Sequence, residues 1–154
     1  MSESLGTALL TLKRLVASSR GRNVPALDAA VSNVMKFNDS ESIGFLLRLL
    51  RDDSLYDEGV FSLVHAAESF DDETYVRRFL EVVPELVKEA PSWASVLIVR
   101  IINNDSARGV LIGDLREAPI SAKNAVAWLL ESINNEDSSF IVKTMAPLLA
   151  AKGA

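Results

Sequence analysis

Four short polar stretches recur along the chain at nearly equal intervals. Each begins with an apolar residue and continues with residues rich in Asn, Asp or Ser: FNDSES, FDDETY, INNDSA and INNEDS. The apolar residues Phe37, Phe70, Ile102 and Ile133 are separated by 33, 32 and 31 residues. A period of this length is typical of two helices and two short turns. Because Asn, Asp and Ser oxygens accept from the first N–H groups of a helix, each stretch predicts a turn between helices. We call these four stretches the capping turns.

Apolar residues at helical spacing flank the capping turns, as Leu27 and Ala30 do before the first one, and strand-like alternation is absent. The sequence therefore predicts an all-α fold, a HEAT/armadillo-like helical-hairpin repeat array of about nine helices in a single domain over 1–154. Pro84 and Pro147 fall inside helical patterns and predict a kink or break near each. The predicted elements are a leading helix at 3–18, the linker SSRGRN, and four antiparallel pairs at 25–51, 54–89, 91–117 and 119–152.

The composition disfavours several kinds of chemical site. There is no cysteine, which removes disulfides, thiolate nucleophiles and cysteine-based zinc sites. His65 is the one histidine, too few for a histidine metal site or a histidine-based nucleophile relay. No glycine-rich phosphate loop follows a strand. We therefore expect no enzyme activity, no catalytic residue, no cofactor and no metal.

Charge and hydropathy bear on partners and location. The net charge of −5 disfavours nucleic acid, whose phosphates bind clustered Lys and Arg. The longest apolar run, 125–130, is far shorter than the roughly 18 residues of a membrane span. The first residues lack the charged and apolar regions of a secretory signal. We expect a cytoplasmic protein that binds neither nucleic acid nor membrane.

An acidic edge is predicted at one end of the array. In stacked helix pairs the four capping turns lie at the same end, so that their acids share one edge. Such a ridge could steer a basic partner and raise its association rate more than its affinity. Helix capping alone explains most of these residues, and both roles stay open. The acids are Asp39, Glu41, Asp71, Asp72, Glu73, Asp105, Glu136 and Asp137.

An arginine stands inside the apolar stretch SWASVLIVRII. On a helix of 100° per residue, Arg100 lies opposite Ile98 and shares its side with Trp93, Leu97 and Asn103. Two roles stay open for it. Its guanidinium could bond a carboxylate or helix-end carbonyls on a neighbouring pair while its methylenes cover Leu97. Alternatively, Trp93, Arg100 and Asn103 could belong to an interface, because Trp and Arg are enriched in binding hot spots.

The same helix carries an R-x-x-N motif from Arg100 to Asn103, preceded by Trp93 and a proline. Over roughly residues 75 to 115 the chain resembles the bacterial Immunity protein 30 family. The resemblance implies a mostly α-helical fold with an R-x-x-N signature and a role in neutralising polymorphic toxins, such as those of contact-dependent inhibition. It implies a cognate protein toxin as the partner. Many immunity proteins of this small, acidic kind act on basic nucleases, and we expect a basic toxin here.

Two functional readings follow. The first is an immunity protein that binds its toxin stoichiometrically and blocks the active site or the approach of substrate. The second is a HEAT-like scaffold or adaptor that binds another protein. A third reading, an enzyme with an unrecognised carboxylate site, is disfavoured because the paired acids stand at helix starts, where acids usually cap.

Overall fold

The structure, a computed structural model, describes residues 4–19, 24–54 and 58–153. Over these residues the chain is helical and contains no strand, which confirms the all-α prediction. Two short 3-10 helices, Asp52–Ser54 and Ser138–Phe140, accompany the α-helices. The nine α-helices of the described residues are α1 Leu5–Ser19, α2 Val24–Met35, α3 Glu41–Arg48, α4 Glu58–Glu68, α5 Asp72–Glu89, α6 Pro91–Ile102, α7 Asp105–Leu115, α8 Ile120–Glu136 and α9 Ile141–Ala151.

Helices two positions apart in the chain pack side by side. α2 contacts α4, α3 contacts α5, and α5 contacts α7, which in turn contacts α9. Neighbouring helices such as α5 and α6, or α8 and α9, also pack together. This order of neighbours is consistent with stacked helical hairpins of the HEAT-like kind.

Each capping turn supplies a side-chain oxygen to the helix that follows it. Asp39 and Asp137 accept hydrogen bonds from backbone N–H groups two residues further on, at 2.9 and 3.0 Å. Asp71 and Asn104 accept from N–H groups three residues further on, at 3.3 and 3.0 Å. These bonds satisfy donors that a helix start leaves without an intrahelical partner. The capping role predicted from the sequence is confirmed.

Side-chain contacts join successive capping turns. Arg78, near the start of α5, donates to the hydroxyl of Ser40 in the first turn at 3.1 Å. Lys143, near the start of α9, donates to Asn103 in the third turn at 2.8 Å. The second and third turns line one recess. These contacts bring successive turns close together, which is consistent with four turns at one end of a repeat array.

Two details of the predicted map need correction. The sequence predicts a kink or a break at Pro84 and at Pro147, and neither helix breaks there, because α5 continues to Glu89 and α9 continues to Ala151. Ser18 and Ser19, predicted to open the linker, belong to α1, and the remaining linker residues lie outside the described part of the chain. A proline removes one intrahelical hydrogen bond, and packing along the rest of each helix outweighs that loss.

Helix α6 lies in the centre of the core. Trp93, Leu97, Ile98 and Ile102 are fully buried, although they lie on more than one side of the helix. A helix that is apolar nearly all round is buried between neighbours. Full burial of one such side chain contributes about 1.5–3 kcal/mol to folding.

In the described part of the chain, no helix combines the length and apolar character needed to cross a membrane.

Candidate partner-binding site

A recess of about 460 Å³ opens between the second and third capping turns. The ends of α4 and α6 and the starts of α5 and α7 form its walls. Two carboxylates, one guanidinium, one phenol and two carboxamides face this small volume. The lining residues are Glu68, Asp72, Tyr75, Arg100, Ile101, Asn103, Asn104 and Ala107.

Arg100 is tied to a carboxylate on the preceding hairpin. Its Nε and Nη2 atoms donate to the two carboxylate oxygens of Glu68 at 2.8 and 2.7 Å. The two side chains are 39% and 24% exposed, so water reaches the pair from one side. The hydrogen bond to Glu68 raises the pKa of Arg100 above its ordinary value. This arrangement confirms the predicted contact between the guanidinium and a carboxylate of a neighbouring pair.

Trp93 lies in the core, which disfavours the alternative that it forms an interface together with Arg100. It is 0% exposed, and Leu97 on the same side is also fully buried. The indole N–H donates to the carbonyl of Arg51 at 2.8 Å, and the ring packs edge-on to Phe61 at 5.0 Å. A surface helix buries one face, whereas α6 is covered on several sides. Trp93 is therefore not available to a partner in this conformation.

The start of α6 is capped from a distant part of the chain. The carboxylate of Asp52 accepts from the backbone N–H groups of Ser92 and Trp93 at 3.1 and 3.2 Å. Asp52 lies in a 3-10 helix about 40 residues earlier in the sequence, which local pattern reasoning does not connect to α6. This contact fixes the register of α6 and hence the position of Arg100.

Tyr75 lies at the recess with a hydroxyl that is buried and has no hydrogen-bond partner among the described residues. The residue is 4% exposed. Burial, and next the charge of Glu68, raise the pKa of Tyr75 far above its ordinary value, while the charge of Arg100 lowers it. Sequence reasoning missed Tyr75. Its position one turn after a cap marks it as a buried α5 residue, but only the fold places it beside Glu68 and Arg100.

Four of the predicted edge acids are occupied by contacts within the chain. Asp39, Asp71 and Asp137 act as caps, and Asp105 pairs with Arg108 at 2.8 Å. A side-chain hydrogen bond is the largest cause of the lowered pKa of Asp71 and of Asp137. The sequence left helix capping and partner binding open for the edge acids, and these four make structural contacts within the chain.

The other four edge acids have carboxylates that bond no described residue. They are available for contact with a partner, since three are exposed and the fourth is partly buried at the recess. Asp72 is the one that lines the recess. The four are Glu41, Asp72, Glu73 and Glu136.

Lysine and arginine side chains lie among the acids at this edge. The sequence analysis did not predict their presence there. Four of these cations already have an acceptor among the described residues. Arg78 contacts Glu81 and Ser40, and Lys143 contacts Asn103. Arg100 and Arg108 hold the carboxylates described above. The edge therefore presents unpaired carboxylates beside neutralised pairs, and it is less strongly acidic than the sequence alone indicates.

A family model described as Immunity protein 30 matches residues 14 to 111, well over half of the 154-residue chain. The chain belongs to the Immunity protein 30 family. Membership implies an immunity protein that acts against a toxin. The assignment made from the R-x-x-N helix is confirmed, and the matched segment extends much further towards the N-terminus than the resemblance did. The chain matches no curated protein and no solved structure.

The Immunity protein 30 segment runs from within α1 to within α7. It contains the whole recess, from Glu68 to Ala107, and both residues that define the R-x-x-N motif. Arg100 of that motif holds Glu68, and Asn103 accepts from Lys143 of α9. In this Immunity protein 30 member the motif thus connects three hairpins at the end where the recess opens.

A second surface lies outside the Immunity protein 30 segment. Large apolar side chains are exposed on α8 and α9, among them Trp128 at 53% and Val142 at 85%. Met145 and Leu149 add to this apolar face on α9. Groups of exposed apolar side chains can mark contact sites for proteins.

In the described residues no group of three His, Asp or Glu side chains is placed to hold a metal ion.

Proposed function

We propose that this Immunity protein 30 member neutralises a cognate bacterial toxin by binding its toxic domain one to one. The toxin is one of contact-dependent growth inhibition or a related polymorphic system, and binding occurs in the cytoplasm. The observation that carries the proposal is the family match over residues 14 to 111. Complex formation blocks the toxin's active site or the approach of its substrate, and the immunity protein performs no chemistry.

The capping-turn edge is the surface that we assign to the toxin. Glu41, Asp72, Glu73 and Glu136 offer carboxylates that no described residue neutralises. Charges at the rim of an interface act mainly on the encounter rate, because they attract an oppositely charged partner before contact. A basic toxin domain is the partner that this edge favours. The chain's net charge of −5 acts in the same direction.

The test is protection of cells that express a candidate toxin domain, taken first from any toxin gene found adjacent to the gene for this chain. We expect full protection when the two proteins are produced together, and a purified complex whose mass corresponds to one copy of each. The toxin released from the complex by denaturant and refolded should regain activity, because nothing was cleaved or modified. If a small fraction of an equivalent of the immunity protein inactivates the toxin permanently, the protein acts as an enzyme and the proposal is wrong.

A HEAT-like scaffold or adaptor remains the second candidate, and the apolar face of α8 and α9 is the observation that favours it. Val142 is 85% exposed and Trp128 is 53% exposed. Replacement of both by serine should leave toxin protection intact if the capping-turn edge binds the toxin. Loss of protection in this variant, with an unchanged melting temperature, would move the binding surface to the α8 and α9 face.

A further inference from the structure

The hydroxyl of Tyr75 is the one unpartnered buried group that the described residues place at the recess. A buried hydroxyl without a hydrogen bond destabilises the folded chain, and such groups are rare in folded proteins. Ser42 also has an unpartnered buried hydroxyl, but it faces a different recess. A serine hydroxyl can rotate towards a carbonyl one turn back in its own helix, whereas the hydroxyl of a tyrosine ring cannot. Tyr75 therefore requires a partner from elsewhere.

The surroundings of the hydroxyl are rich in acceptors and carry excess negative charge. Glu68 and Asp72 contribute two carboxylates, and Arg100 contributes the one cation of the lining. Arg100 is already held by both oxygens of Glu68, so that the carboxylate of Asp72 has no counter-charge among the described residues. Asn103 and Asn104 also line the recess, and their side-chain oxygens already accept hydrogen bonds within the chain, so that Asp72 is the charged acceptor left for a partner. A positively charged donor matches this lining.

We propose that the recess receives one lysine or arginine side chain of the toxin, which pairs with Asp72 and donates to the hydroxyl oxygen of Tyr75. The inference rests on the proposed function, because it identifies the anchor of the same complex. Ile101 and Ala107 add apolar atoms to the lining, against which the methylene groups of such a side chain can pack. Arginine and lysine are charged donors without an acceptor, and both can pair with the carboxylate of Asp72.

A carboxylate from the partner fits less well. It would have to displace Glu68 from Arg100 and would then lie between two like charges, Glu68 and Asp72. Like charges brought together in an interface are strongly unfavourable. A neutral amide would leave Asp72 without a counter-charge. The recess thus selects for charge as well as for hydrogen-bonding type.

A small-molecule titration tests the recess without any toxin. The probe is N-acetyl-arginine methylamide, followed by NMR of the full-length protein, with N-acetyl-glutamine methylamide and N-acetyl-glutamate methylamide as matched neutral and acidic controls. We expect saturable shifts of the backbone signals of Tyr75, Asn103 and Asn104 with the arginine probe only. Tyr75→Phe and Asp72→Asn should each weaken this binding severalfold. Equal shifts with all three probes, or shifts with the acidic probe alone, would overturn the assignment.

The second arm uses the toxin domain that the protection assay identifies. Tyr75→Phe should raise the dissociation constant about tenfold, equivalent to about 1.4 kcal/mol, while the melting temperature of the free protein stays equal or rises. Ser42→Ala also removes an unpartnered buried hydroxyl, but from another recess, and should leave the dissociation constant unchanged. A merely structural role for Tyr75 would instead lower the melting temperature.

The two arms separate the failure of this inference from the failure of the proposed function. If cells are protected but Tyr75→Phe and Asp72→Asn bind the toxin like the wild type, the anchor is wrong and the immunity function stands. If no toxin is neutralised while the arginine probe binds the recess, the basic-side-chain site stands and the immunity function is wrong.

Discussion

Arg100 and Glu68 face each other through two hydrogen bonds of 2.8 and 2.7 Å, which join the end of α6 to the end of α4. This two-point contact accounts for an arginine inside an otherwise apolar helix. The side chain of Arg100 is partly exposed, and its guanidinium bonds a carboxylate of the previous hairpin. It also forms one wall of the recess, so that the same residue stabilises the array and shapes the candidate site.

Loss of the Arg100 contact should reduce stability more than partner binding. We expect Arg100→Ala to lower the free energy of unfolding by about 1–2 kcal/mol, since the pair is bidentate but partly exposed to water. Urea denaturation measures this change. In the recess, removal of the guanidinium leaves the lining more acidic, so a basic probe should bind at least as well as it does to the wild type.

The matched control is Arg48→Ala. Arg48 makes one contact to Glu85 at 2.8 Å, and both side chains are more than half exposed. Such a pair contributes about 0–1 kcal/mol, so the control should unfold at nearly the same urea concentration as the wild type. Unchanged stability of Arg100→Ala together with lost toxin protection would mean that Arg100 is an interface residue and not a structural one.

The periodic capping turns predicted the fold well, because their signal is local. A cap such as Asp71 or Asn104 bonds an N–H group three residues away, and the residue types that can do so are few. The spacing of these caps then fixes how long each helix pair is. Contacts across the array cannot be predicted in this way. Asp52 and Ser92, for example, are 40 residues apart, and no local sequence pattern connects them.

The candidate site was predictable only in part, and Trp93 and Tyr75 illustrate why. Helical periodicity placed Trp93 beside Arg100, but burial of α6 on several sides hides it completely. Tyr75 looks like an ordinary core residue in the sequence, and its functional interest arises from a hydroxyl without a partner at the recess. Both facts depend on which helices surround α6 and α5. The sequence shows the periodicity of each helix but not the number of its neighbours.

The two tryptophans should differ in fluorescence because their burial differs. Trp93 is 0% exposed and Trp128 is 53% exposed. We expect Trp128→Phe to leave a protein with blue-shifted emission that iodide quenches weakly. Trp93→Phe should leave a red-shifted, readily quenched emission from Trp128. Strong iodide quenching in the Trp128→Phe protein would place Trp93 at the surface and restore it as a candidate contact residue.

Alkaline pH should destabilise the protein through Tyr75. Its ordinary pKa is 10.0, and burial raises that pKa well above this value in the folded chain. Below pH 10 the hydroxyl is neutral in both states, and its protonation does not affect the free energy of unfolding. Above that pH the unfolded chain releases the proton while the folded chain retains it, so stability falls as the pH rises.

Comparison of the wild type with Tyr75→Phe isolates this effect. We expect the free energy of unfolding of the wild type to fall more steeply above pH 10, with the Tyr75→Phe protein less affected. Urea denaturation at several alkaline pH values gives both curves. Parallel curves would show that the Tyr75 hydroxyl ionises freely in the folded chain, and hence that it lies in contact with water.

In the proposed complex, unpaired acids of the capping turns guide a basic toxin to this edge. The decisive variant replaces Glu41, Glu73 and Glu136, the three exposed unpaired acids, by their amides, which retain an acceptor oxygen and leave Asp72 in the recess unchanged. The control replaces Glu89, Asp114 and Glu117 by amides, because these acids lie near the turns at the other end and the change in net charge is the same. Both variants should keep the wild-type fold and melting temperature within a few degrees.

The most direct measurement is the association rate constant of the toxin domain at several salt concentrations, determined by stopped-flow for the wild type and the two variants. At low salt we expect the edge variant to associate severalfold more slowly than the control, with a much smaller change in the dissociation rate constant. Between about 0.01 M and 1 M salt the screening length falls from about 30 Å to about 3 Å, so the wild-type rate should approach that of the edge variant. A wild-type rate that does not depend on salt, or equal slowing in both variants, would contradict recognition through this edge.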